Sequence, residues 1–290
     1  MPLPPFSSLP FLTQARAPLT CAIDAINEFG QTTSISIPAE RALTVYVDKR
    51  ELVTLMTLGA NPELLVLGFL RNQRLVKSAQ EIESITVDWD VGAAAVKTRR
   101  GIADIEKKTS KRVVTTGCGQ GSVFGDLMDE IDSLVLPPAS LTQAQLYGIV
   151  NAIRLQETTY KSAGSVHGCA LFRGEDMLIF VEDVGRHNAI DTIAGWMWLQ
   201  DARTMAGDDK VFYTTGRLTS EMVIKSAQMG VPLVVSRSGI TQMGQEVAQR
   251  LGLCTIGRAT NKRFLCYSGA ERLRLQPELA GSTGMLTALR

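Results

Sequence analysis

Histidine is almost absent from this chain, cysteine is scarce, and neither sign of charge prevails. There are two histidines, and five cysteines at positions 21, 118, 169, 254 and 266, with no Cys-x-x-Cys anywhere. Ligands this sparse exclude a zinc knuckle, and no metal site is expected. The zinc-deaminase pattern, His-x-Glu followed by Pro-Cys-x-x-Cys, is missing too, because His167 is followed by Gly168 and Cys169. An odd number of widely spaced cysteines gives no disulfide framework and points to a reducing compartment. Lys and Arg total 30 against 29 Asp and Glu, a net charge of +1, which excludes a sequence-independent nucleic-acid binder. No apolar run approaches the roughly 20 residues that span a bilayer. Met1 to Gly30 is broken by Pro2, Pro4, Pro5, Pro10 and Pro18 and lacks the basic and apolar regions of a secretory signal. The expectation is a cytoplasmic protein with no membrane contact.

What is present is enough apolar residue, 45%, to build a sizeable core. Residues 1–30 read as an extended arm, 31–135 as a β-rich region, 136–270 as an α/β domain and 271–290 as a tail. Leu43, Val45 and Val47 alternate with polar neighbours and predict a half-buried strand ending near Asp48 and Lys49. Asn61-Pro62 starts a helix that continues through Glu63 to Arg71. Ile85 to Arg99 reads as two strands bent around Gly92. Ser140 with Gln143 resembles a capping box for a helix with Ile149, Val150 and Ile153 on its apolar face.

The second half alternates more plainly. Strands are predicted over Lys210–Thr215, Val231–Ser236 and Leu253–Gly257, with helices over Thr219–Met229 and Thr241–Leu251. A β-α-β-α-β run with short joints predicts a parallel sheet with crossover helices. Ligands of such sheets sit at the carboxyl ends of the strands. Here those ends are Thr214-Thr215-Gly216-Arg217, Ser236-Arg237-Ser238-Gly239 and Gly257-Arg258. These glycine- and hydroxyl-rich turns with three arginines suit a phosphate-bearing ligand, held through backbone N–H groups, helix N-termini and bidentate arginine, although the glycines also serve as plain tight turns.

Cys118 sits in Thr115-Thr116-Gly117-Cys118-Gly119-Gln120-Gly121-Ser122, with glycine on both sides. Glycine offers no side-chain wall, so this thiol should be reachable. A helix predicted over Val123–Leu134 would favour the thiolate. Two readings fit: a nucleophile or persulfide carrier, and an incidental loop cysteine. His167 enters a strand, and His187 lies in Glu182-Asp183-Val184-Gly185-Arg186-His187-Asn188, where Glu182 or Asp183 could orient it. Each histidine fits either a proton-handling role or a satisfied buried position. Cys21, Cys254 and Cys266 read as inert packing. Cys169 shares a strand face with His167 and reads as core filler or as a partner for Cys118.

Several longer stretches carry a resemblance. Glu182 to Asp191 is similar to the central motif of the FdhD formate dehydrogenase accessory proteins, and Thr215 to Lys225 to their next motif. Glu40–Leu52, Leu67–Leu70 and Ser162–Leu171 resemble other parts of that family, in the same order, across residues 36 to 270. The resemblance implies a cytidine-deaminase-like mixed sheet without zinc, with a smaller β-rich N-terminal region, and a homodimer. It implies a sulfurtransferase that takes persulfide sulfur from a cysteine desulfurase and passes it to the bis-guanine-dinucleotide molybdenum cofactor of formate dehydrogenase. The persulfide position falls on Cys118, and the cofactor-binding stretch falls on Arg258, Ala259, Thr260, Asn261, Lys262 and Arg263, just after the last strand. Arg217, Arg237, His167 and His187 would line the pocket. One position departs, because the family's second loop cysteine is Gly121 here. That removes an internal resolving thiol. It leaves a rival reading, a cofactor-binding chaperone that transfers no sulfur, and behind it a nucleotide-binding regulator.

Overall fold

The computed structural model describes residues 9–102, 105, 134–156, 158–200 and 209–280. Contacts group the chain into two compact units, each drawn from stretches far apart in sequence. One unit comprises 1–131, 157–169 and 180–206, and the other 132–156, 170–179 and 207–290. This differs from the contiguous regions 31–135 and 136–270 that composition suggests. The strand pair β9 (His167–Arg173) and β10 (Asp176–Asp183) passes between the units along the chain, which composition cannot reveal.

In the first unit the early strands are β1 (Phe11–Leu12), β2 (Thr20–Ile26), β3 (Thr32–Pro38), β4 (Arg41–Val47) and β5 (Arg50–Thr57). Helix α1 (Pro62–Asn72) precedes β6 (Ile82–Asp88) and β7 (Ala93–Thr98). Five of these strands form a mixed sheet in the order β1-β6-β7-β4-β5. Pairing is antiparallel for β4/β5 and β6/β7 and parallel for β4/β7 and β1/β6. The alternation read in β4 is real: Leu43, Val45 and Val47 are at most 1% exposed, whereas Thr44 and Tyr46 are half-buried. Asp48 and Lys49 take positive φ values of 47° and 73°, the two-residue turn that suits a right-twisted hairpin. The Asp48 carboxylate then accepts from the Thr98 backbone N–H at 2.9 Å and from its hydroxyl at 2.5 Å, pinning the turn to β7.

Within the segment expected as an extended arm, the described residues 9–30 include paired strands. Phe11 and Leu12 pair with Ser84 and Ile85 of β6, and β2 with β3 forms a hairpin from Thr20↔Pro38 to Ile26↔Thr32. Its residues are exposed or half-buried, so no core-facing alternation announces it.

Helix α1 begins at Pro62 with Asn61 before it, although the Asn61 side chain makes no capping bond. It packs against a later helix of the same unit at residues 186–199. Gly68 and Gly195 stand at the crossing, where a Cβ on Gly68 would collide with the Asp191 carbonyl oxygen and one on Gly195 with that of Leu64. Glycine costs a helix interior about 0.5–1 kcal/mol relative to alanine. Here that loss permits backbone-to-backbone approach. Asn72 Nδ2 donates to Asp191 Oδ1 at 2.7 Å, and Arg71 Nη1 to the Ala194 carbonyl at 2.8 Å.

The second unit opens with β8 (Leu141–Thr142) and α2 (Gln143–Gln156), while α3 (Thr158–Ala163) and α4 (Arg186–Leu199) belong to the first. It continues through β11 (Lys210–Thr214), α5 (Ser220–Gln228), β12 (Leu233–Ser236), α6 (Gln242–Leu251), β13 (Cys254–Thr260) and β14 (Arg263–Ser268). A short β15 (Leu273–Arg274) pairs with β8. The main sheet has the order β10-β9-β11-β12-β13-β14, with β11, β12 and β13 parallel, as expected. Strand β14 is antiparallel to β13, so the sheet continues past Gly257.

The capping box of α2 lies two residues beyond the expected place. Gln145 Oε1 accepts from the Thr142 N–H at 2.9 Å, and Thr142 Oγ1 accepts from the Gln145 N–H at 3.2 Å. Thr142 and Gln145 have the same hydroxyl-to-glutamine spacing as Ser140 and Gln143, so the spacing alone could not choose between them. Gln143 instead accepts from the Gln276 N–H at 2.8 Å through its side chain, close to where β15 pairs with β8.

Candidate functional site

At the carboxyl edge of the second unit's sheet, three loops are tied together by their own backbone. The Arg237 N–H donates to the Thr214 carbonyl at 3.0 Å, and the Arg258 N–H to the Ser238 carbonyl at 2.6 Å. The Leu218 N–H donates to the Gly239 carbonyl at 2.9 Å, and the Thr241 N–H returns to the Leu218 carbonyl at 3.0 Å. Two buried hydroxyls complete the lacing. Thr214 Oγ1 accepts from the Gly216 N–H at 3.1 Å. Ser236 Oγ donates to the Gly216 carbonyl at 2.7 Å and accepts from the Ser238 N–H at 2.9 Å. These two hydroxyls hold the loops together. The arginines are the groups that can serve recognition: Arg217 and Arg258 are exposed and Arg237 is half-buried.

The segment Arg258–Arg263 is not a loop after the last strand. Arg258, Ala259 and Thr260 end β13, Asn261 and Lys262 make the turn, and Arg263 opens β14. Ala259 is buried, whereas Arg258, Thr260, Asn261, Lys262 and Arg263 are exposed. Arg258 and Asn261 have φ values of 50° and 51°. Asparagine tolerates this left-handed region, but for arginine it costs on the order of 1 kcal/mol. The register shift between Gly257 and Thr260 accompanies it. Tyr147 of α2 donates its hydroxyl to the Lys262 carbonyl at 3.0 Å and sets its ring edge-on to Phe264, which fixes the turn from one side. Gly257 has no room for a side chain, since a Cβ would lie 2.8 Å from the Ser238 carbonyl and 2.6 Å from the Tyr267 ring. Arg217, Arg237 and Arg258–Arg263 thus belong to one edge of one unit.

The remaining expected residues lie elsewhere. Cys118, its neighbour Gly121 and nearly all of the helix expected over 123–134 are outside the described residues. His167 and His187 belong to the first unit, His167 half-buried at the start of β9 and His187 3% exposed in the first turn of α4. The two carboxylates beside His187 have other work. Glu182 accepts the backbone N–H of Thr159 at 2.7 Å and of Tyr160 at 3.0 Å, capping α3. Asp183 accepts from Thr57 Oγ1 at 2.6 Å, the Val184 N–H at 2.7 Å and Asn188 Nδ2 at 3.1 Å, while Asn188 also donates to the Met56 carbonyl. The Glu182–Asn188 motif therefore reads as a knot joining β5, β10 and the start of α4.

Burial pushes the Asp183 carboxyl up from 3.8 to about 6, against the pull of its hydrogen bonds. The folded state then holds a proton that the unfolded state has released, so this group's stabilisation is full below about pH 4 and is lost as pH rises through about 6. A rise of that size corresponds to about 3 kcal/mol. Urea denaturation between these pH values should show a fall in parent stability that is absent in Asp183→Asn; parallel profiles would contradict this assignment.

Two cysteines are less buried than the packing expected of them. Cys21 is exposed on the β2–β3 hairpin, and Cys266 is half-buried on β14. Burial on an edge strand cannot be read from the apolar neighbours alone. Cys169 is fully buried, its sulfur 3.9 Å from the Arg186 carbonyl. Among the described residues no three His, Cys, Asp or Glu side chains group as metal ligands, and no helix is long and apolar enough to cross a membrane.

The FdhD/NarQ family profile matches residues 38–274. The sulfur carrier protein FdhD of Listeria innocua is 30% identical over 246 residues, which is 84% of this chain and 93% of that protein. The same-named protein of Bacillus subtilis is 30% identical over 236 residues, 81% of this chain and 89% of the relative. A crystal structure from Desulfotalea psychrophila, described as a formate dehydrogenase accessory protein, superposes with a TM-score of 0.70 at 25% identity, covering 88% of this chain and all of that one. A mixed α/β fold, the ordered motifs and a match from residue 38 to residue 274 agree, and the chain belongs to the FdhD/NarQ family.

Proposed function

We propose that this protein is a sulfur carrier for formate dehydrogenase, with Cys118 as the carrying thiol. The Cys118 thiolate attacks the terminal sulfur of a cysteine desulfurase persulfide. A new S–S bond forms on Cys118, and the desulfurase cysteine leaves as a thiolate. The client of the carrier is the bis-guanine-dinucleotide molybdenum cofactor: on transfer the S–S bond breaks, Cys118 leaves as a thiolate, and the reduced client would supply the two electrons that turn the sulfane sulfur into sulfide. The names borne by the relatives support the sulfur half of this reading.

The observation that carries the cofactor half is the lacing of three arginine-bearing loops on one sheet edge. Guanidinium groups match phosphate oxygens in bidentate fashion. The N-termini of α5 and α6 add partial positive charge at the same edge. Arg258, Lys262 and Arg263 on the β13–β14 turn would grip the dinucleotide phosphates, with Arg217 and Arg237 beside them. His167, half-buried, is the better placed of the two histidines to move a proton, and the buried His187 shapes its surroundings. The reading includes a homodimer with a deaminase-like sheet, working in the cytoplasm. Gly121 favours the second reading, a chaperone that holds the cofactor without transferring sulfur.

Binding of GDP, followed by calorimetry, tests the anion site. Arg258→Ala with Arg263→Ala should weaken it by at least about tenfold, the equivalent of about 1.4 kcal/mol. GDP binding that is unchanged in the double variant would overturn the placement of the cofactor.

A further inference from the structure

The edge hairpin of the second unit brings two thiols together that the proposed sulfur chemistry does not use. Cys254 and Ile256 are two apart on β13 and share a face. Ile256 is the register partner of Cys266 on β14, so Cys266 stands on the Cys254 face, beside the register shift at Thr255/Ile256. Cys266 Sγ donates to the Ser268 carbonyl at 3.3 Å, and the two thiols are near enough for each to shift the other's ionisation. The two sulfurs are unlike in access. Cys254 is fully buried, whereas Cys266 is half-buried on the last strand of the sheet. The hydrogen bond from Cys254 brings the Cys266 thiol down to about 7, while the same contact and burial push Cys254 up. A thiol that ionises near neutral pH is the best attacker in exchange reactions, and a buried neighbour in contact with it is placed to resolve the product.

We propose that Cys254 and Cys266 form a redox-active pair, in which Cys266 attacks a small disulfide and Cys254 closes an internal disulfide. In the first step the Cys266 thiolate forms a bond to one sulfur of the small disulfide, and the other sulfur leaves as a thiolate. In the second step Cys254 attacks the Cys266 sulfur and its proton passes to the departing thiolate. The two protein thiols are oxidised, and the small disulfide is reduced to two thiols. The bond would staple β13 to β14 below the turn that carries Arg258 to Arg263. Any effect on nucleotide binding rests on the anion site proposed above, but the bond itself does not.

The test treats the full chain with oxidised glutathione, alkylates the remaining thiols, digests with trypsin and maps the products by mass. Cys254 falls in the peptide Leu251–Arg258 and Cys266 in Phe264–Arg272. The expected product is these two peptides joined, and separated again by dithiothreitol. Cys254→Ala should instead retain glutathione on Cys266, and Cys266→Ser should leave Cys254 unmodified. Both cysteines alkylated throughout, or a glutathione adduct that persists on Cys266 of the parent, would overturn the proposal. If Cys254→Ala fails to fold, the parent and Cys266→Ser still decide it. None of these products depends on GDP or on a desulfurase, so their absence would leave the sulfur-carrier reading standing.

Discussion

Replacing Cys118 by alanine is expected to abolish formate dehydrogenase activity in cells while leaving GDP binding unchanged. A persulfide needs a sulfur to sit on, and alanine offers none. The other cysteines offer little help. Cys169 and Cys254 are fully buried. Cys21 sits on an exposed hairpin without the flanking glycines that surround Cys118. Cys266 is half-buried, and the resolving Cys254 proposed beside it would release as sulfide any persulfide sulfur that it took up. With glycine at position 121, no second loop thiol can rescue the variant. Activity would be measured in a strain whose own carrier has been deleted. A chaperone that only delivers the cofactor would tolerate the change, so normal activity in Cys118→Ala would decide for that reading.

Gly68→Ala is expected to be the most damaging small change in the described structure. Alanine gains up to about 1 kcal/mol of helix propensity over glycine. Against this, the new methyl would overlap the Asp191 carbonyl and lie 2.7 Å from the Gly195 nitrogen. Both are backbone atoms of a helix, so no side chain can rotate aside, and α1 must move away from α4. Ordinary overpacking costs about 1–3 kcal/mol, and a forced helix shift that also strains the Asn72–Asp191 and Arg71–Ala194 bonds should exceed that range. Gly185→Ala is the control, since its Cβ would meet nothing within 4 Å. Urea midpoints should fall sharply for Gly68→Ala and little for Gly185→Ala. Equal midpoints would contradict the close helix crossing.

Much of the fold is legible in sequence where a single periodicity or turn rule operates alone. The β4 strand announces itself because its core-facing residues alternate with half-buried ones, and Asn61-Pro62 marks α1 because proline tolerates the first helical turn. The parallel β11-β12-β13 run is legible from short apolar segments separated by helices. The failures have physical causes as well. The β2–β3 hairpin buries neither face well, so its short alternation Ser34-Ile35-Ser36-Ile37 marks no core-facing side. Strand β14 escapes the sequence pattern because the register shifts against β13 blur the period of two. The arginines of the carboxyl edge are readable from strand ends. That the hydroxyls of Thr214 and Ser236 turn inward is not, because it depends on backbone groups of neighbouring loops. The Cys254–Cys266 contact depends likewise on cross-strand register.

Whether Cys118 carries sulfur is decided by the intact mass of the protein after incubation with a cysteine desulfurase and cysteine. The expected result is a gain of one sulfur atom that is lost on adding a reductant and absent from Cys118→Ala. No gain in the parent, with GDP still bound, would contradict it and leave the chaperone reading in its place.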